Sequence, residues 1–62
     1  MNEQPQQTAA TRAVIDEIKI AAARLDELLD DIPRFGGDAA CALAARVALE
    51  QVRSLAIQGV GA

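Results

Sequence analysis

The sequence contains no histidine, tryptophan or tyrosine, and only one phenylalanine and one cysteine. Each shortage closes a route to function. Without histidine the commonest general base is missing, and Ser54 has no base at a recognisable spacing. An enzyme is therefore not expected. One cysteine forbids an intrachain disulfide, and a structural zinc site lacks ligands. No metal or cofactor is expected. No apolar run is long enough to span a bilayer, and the start of the chain lacks the basic-then-apolar order of an export signal. These features lead to the expectation of a cytoplasmic protein. The net charge of -3 opposes general binding to duplex nucleic acid or to an anionic membrane. It leaves room for a local arginine cluster that holds a small anion.

What the chain does have is aliphatic. Hydrophobic residues make up 52% of it, much of that alanine, which suits closely packed helices. At 62 residues it is one domain whose core is marginal on its own. With disulfides and metals excluded, oligomerisation is the remaining way to stabilise it.

Residues 39–57 hold no glycine or proline and are rich in strong helix formers. Cys41, Ala42, Ala45, Ala48, Leu49, Val52, Leu55 and Ala56 form a stripe at three-and-four spacing. Leu43 and Val47 fall on the opposite side, so this helix needs two partners. One is the preceding helix and the other is expected from a second copy of the chain. Upstream, Val14, Ile18, Ala21, Leu25, Leu28 and Ile32 repeat at alternating steps of four and three, and Ile15, Ala22 and Leu29 widen the stripe. Ile20 sits apart from that stripe and marks either a lone exposed side chain or a further interface.

These patterns predict an all-α fold: two antiparallel helices over residues 8–32 and 38–58, joined at 33–37 and assembling into a homo-oligomeric bundle. Residues 1–7 are polar and are expected to be a flexible tail, with 8–62 the hairpin domain. Thr8 or Thr11 is expected to cap the first helix and Asp38 the second. Pro33 is expected to stop the first helix, Gly36-Gly37 to reverse the chain, Phe35 to fold over the open end, and Gly59 and Gly61 to end the second helix after about Gln58, with Gly59 just past its last turn. Cys41 is expected to be buried as a small hydrophobe. Helix-spaced pairs, namely Arg12 with Asp16, Asp16 with Lys19, Arg24 with Glu27, Arg46 with Glu50 and Glu50 with Arg53, are expected on the polar faces. Asp30 and Asp31 oppose the dipole at the end of the first helix. They are a tolerated surface cost, partners for Arg34 or another copy's arginine, or, with Asp26 and Glu27, a metal site.

The remaining chemistry is in the arginines. Arg34 lies in the turn, Arg46 and Arg53 share a face of the second helix, and Arg12 is near the start of the first. Arginine grips phosphate with a planar fork of donors, and a glycine turn leading into a helix N-terminus favours an anion. An ordinary ion-paired face is the alternative. A long helix, a turn containing Pro33, and a second helix with Ala45, Leu49, Glu50 and a terminal Ala56-Ile57 resemble the phage hairpin family of cyclic-nucleotide sponges. These counter the CBASS and Thoeris bacterial defences. Family members usually carry an aromatic near Leu55, which this chain lacks. The resemblance implies a homo-oligomer in the host-cell cytoplasm that sequesters cyclic nucleotide messengers between subunits without degrading them. Arg34, Phe35, Arg46 and Arg53 would then contact the ligand, and Leu43, Val47 and Ile20 would lie in the oligomer interface. The alternative is a structural or protein-binding hairpin with no small-molecule ligand.

Overall fold

The computed structural model of the chain describes residues 8–61; the expected tail, 1–7, lies outside the described residues. Two helices of 23 residues each, α1 (Ala9–Asp31) and α2 (Ala39–Gly61), run antiparallel, joined through a 3-10 turn at Pro33–Phe35. There is no strand among the described residues. The expected all-α hairpin is the fold observed.

The ends of the elements follow local chemistry. The Thr8 hydroxyl accepts from the Thr11 amide at 3.0 Å, so Thr8 caps α1. An Asp38 carboxylate oxygen accepts from the Cys41 amide at 3.0 Å, which satisfies one of the free amides at the start of α2. The stop at Pro33 is softer than expected. Ile32 keeps helical angles (φ -53, ψ -49) although it precedes a proline. Its carbonyl accepts from both Phe35 (3.2 Å) and Gly37 (2.9 Å), and those bonds hold a conformation that a following proline disfavours. Reversal occurs at Gly36, with φ 87 in the left-handed region. Gly37 is needed for another reason. A Cβ there would collide with the Ile32 side chain and lie 2.9 Å from its carbonyl oxygen.

The α2 C-terminus extends past the expected stop. Gly59 is helical, and α2 continues to Gly61. Val60 falls on the stripe that faces α1 and is half-buried there. That burial offsets the roughly 1 kcal/mol that glycine costs inside a helix.

The contact between the helices is narrow. Among the described residues only Ile15, Ala22 and Ala42 are buried, and Ile18, Leu29, Ala45, Leu49, Ala56 and Ile57 are half-buried around them. The small side chains of α2 let the backbones approach. The flanking stripe of α1 thus becomes the core. Three members of its expected main stripe, Val14, Leu25 and Leu28, are 44–51% exposed. The α2 stripe divides in the same way, and Cys41, Val52 and Leu55 face solvent. The expected burial of Cys41 is therefore not observed, because α1 reaches only the Ala42 side of that turn. Phe35 is 85% exposed and does not cover the open end, since the 3-10 turn carries its ring outward. The hairpin consequently has two unlike faces. One is apolar, with Val14, Leu25, Leu28, Val52 and Leu55; the other is charged. No helix of the described residues is long and apolar enough to cross a membrane.

Candidate ligand site on the charged face

The charged face is organised by two arginines threaded among three aspartates. Arg46 donates from Nε to Asp26 Oδ1 at 2.9 Å and from Nη2 to Asp26 Oδ2 at 3.2 Å, a two-pronged bond that crosses from α2 to α1. Its Nη1 reaches Asp30 Oδ1 at 3.1 Å. Arg34 donates to the other oxygen of Asp30 at 3.4 Å and to Asp31 at 3.1 Å. The acidic end of α1, which opposes its own dipole, is thus neutralised by a turn arginine and a cross-helix arginine. This matches the reading that pairs Asp30 and Asp31 with Arg34. Among the described residues no cluster of three metal-ligating side chains occurs.

Arg46 prefers this network to Glu50, its expected partner one turn away. Glu50 instead receives Arg53 at 3.7 Å, the one expected helix-spaced pair that forms. The pairs Arg12 with Asp16, Asp16 with Lys19 and Arg24 with Glu27 do not close among the described residues. The Arg46 bond holds the Asp26 carboxyl below its ordinary value of 3.8, chiefly by hydrogen bonding, against a smaller opposing effect of desolvation. The same bond raises the Arg46 guanidinium further above its ordinary value.

Beside the network lies a recess of about 200 Å³ between the helices. Ala22, Ala23 and Leu49 form an apolar floor, while Lys19, Arg46 and Arg53 bring three cations to the rim beside Asp26 and Glu50. Two of the four expected ligand residues, Arg46 and Arg53, meet here. Arg34 is joined to Arg46 through Asp30. Phe35 lies apart, beside Leu28, Asp31, Ile32 and Gly37. The expected interface residues Ile20, Leu43 and Val47 are each 62% exposed. Lys19 and Asp26 were not expected in the site. Their signal is the turn itself: antiparallel pairing about residues 35–37 places Asp26 level with Arg46.

The fold and the charged face define an amphipathic α-helical hairpin with a recess rimmed by three cations and two carboxylates. Comparison with known protein families, curated proteins and solved structures finds no match for the chain.

Proposed function

We propose that the chain is a self-assembling helical hairpin that sequesters a cyclic nucleotide between its copies without degrading it, as the family resemblance implies. The observation that supports this reading is the recess rimmed by Lys19, Arg46 and Arg53. Guanidinium groups and an ammonium beside an apolar floor suit a phosphate and the sugar or base attached to it. At about 200 Å³ the recess is smaller than the roughly 300–1,000 Å³ typical of small-molecule sites, so a second copy would complete it. Phe35, outside the recess of its own hairpin, would reach a ligand only from a neighbouring copy, where stacking contributes about 1–3 kcal/mol.

The second reading is a structural or protein-binding hairpin with no small-molecule ligand. It is favoured by the commitment of Arg46 to Asp26 and Asp30, which an incoming phosphate has to displace.

The test is a thermal-shift screen of the purified protein against cyclic dinucleotides, cyclic trinucleotides and ADP-ribose derivatives, followed by calorimetry. A binding ligand should raise the melting temperature, and Arg46→Ala or Arg53→Ala should weaken binding by about 1.5–3 kcal/mol while keeping the oligomeric mass. Arg34→Ala tests whether the turn contributes. If none of these ligands shifts the melting temperature, the sponge reading fails and the interaction hairpin replaces it.

A further inference from the structure

The apolar face of the hairpin has a charge pattern that specifies what covers it. Along α1 the exposed Val14, Leu25 and Leu28, with Ala21 and the half-buried Ile18 between them, make a seam of alternating four-and-three steps. That is the spacing of a helix packed lengthwise on another helix. On α2 the exposed Val52 and Leu55 continue the same face, and a groove between the helices runs from Ala21 and Leu25 to Val52 and Ala56. The whole side of the hairpin is about 35 Å long and about 20 Å wide, on the order of 700 Å², taking 23-residue helices and ordinary helix spacing, and the apolar seam from Val14 to Leu28 runs along about 21 Å of it. A stable interface buries about 800 Å² per partner, so a second hairpin of the same size matches it.

The outer rim of this face on α1 carries two charges of opposite sign, Glu17 and Arg24, both exposed. Neither forms an ion pair among the described residues. They lie seven residues apart, almost symmetrically about the middle of α1, which spans Ala9–Asp31. A two-fold axis crossing α1 at that point pairs the helix with an antiparallel copy of itself. Glu17 then meets the partner's Arg24, and Arg24 meets the partner's Glu17. The axis falls beside Ala21, whose small side chain permits close approach, and sets Val14 against the partner's Leu28. At the level of α2 the same operation lays Leu55 on the partner's Ala48, large against small. A parallel pairing would instead bring Glu17 against Glu17 and Arg24 against Arg24.

We propose that the apolar face is the seat of a second copy of this chain, docked antiparallel, α1 on α1, and held in register by reciprocal Glu17–Arg24 contacts. This rests on the self-assembly in the proposed function and not on any ligand. It places the principal contact on the face opposite the charged recess, which leaves Leu43 and Val47 free for a further contact between such pairs.

The experiment is a charge exchange read by sedimentation equilibrium and circular dichroism. Glu17→Arg and Arg24→Glu, each creating two like-charge contacts per dimer, should each weaken dimerisation about tenfold. The double variant should return it to near the wild-type value. Each charge lies on an exposed rim, and recovery in the double variant separates loss of pairing from loss of folding. In a Cys41→Ala background, Ala21→Cys should form a disulfide-linked dimer on mild oxidation and Val47→Cys should not. A wild-type monomer at micromolar concentration overturns the proposal together with self-assembly itself. A stable oligomer unaffected by either single exchange, cross-linking through Val47→Cys and not through Ala21→Cys, overturns this interface while leaving self-assembly intact.

Discussion

Gly37 is fixed by packing, Gly36 by its backbone. Because a Cβ at Gly37 would collide with Ile32, Gly37→Ala forces the pre-proline turn apart, with an expected loss of about 1–3 kcal/mol in urea unfolding. Gly36→Ala meets open space but a positive φ, and should lose about 1 kcal/mol. The carboxyl of Asp26 gives the fold an acid limit. Its native form titrates below 3.8 because Arg46 donates to it. Between the two pKa values the unfolded chain binds more protons than the native one. The contribution of this group is therefore complete above the ordinary carboxylate range and lost as pH falls through the lowered value. The melting temperature should fall as pH drops below about 4, and that acid limb should be shallower in Asp26→Asn. The alanines were legible as core, since Ala42 and Ala22 stood on apolar stripes, but the aspartate across from Arg46 was not. Helix spacing weighs only neighbours on one helix, and Arg46 bonds across the hairpin.

The N-caps and the reversal at Gly36 are legible in local sequence, whereas the outward ring of Phe35 is not. Thr8 and Asp38 have the side chains that accept from free amides, and both do so. Replacing either with alanine should cost about 1 kcal/mol, seen as a lower midpoint of the helical circular-dichroism signal. The faces of α1 were less legible. A stripe as wide as Val14, Ile15, Ile18, Ala21, Ala22, Leu25 and Leu29 tells that a helix is covered, but not which half of it meets the neighbour in its own chain. That depends on where the turn delivers α2, and the 3-10 segment at Pro33–Phe35 turned it toward Ile15 and Ala22. The end of α2 is less legible, because Gly59 is a stop signal by itself, whereas the half-burial of Val60 depends on the fold.

Among its described residues the hairpin buries three and leaves nine large hydrophobic side chains exposed, which is little support for a lone folded chain. If its copies assemble, the melting temperature should rise with concentration, and a hundredfold dilution should lower it measurably, whereas a monomer would melt at one temperature throughout. The architecture of the molecule was legible from its patterns; the division into an apolar and a charged side was not, because it follows from the rotation of one helix about the other. The ion pairs of Arg34 and Arg46 gather at the turn, while the opposite end of the hairpin is held by Ile15, Ile18, Ile57 and Val60. The two ends therefore loosen under different conditions. Raising salt screens exposed charges and should speed amide hydrogen exchange in residues 28–32 and 42–46, leaving 15–19 and 55–59 protected. Cooling weakens apolar burial and should favour opening at the far end instead. One short hairpin thus carries two independent clasps, each released by its own solvent variable.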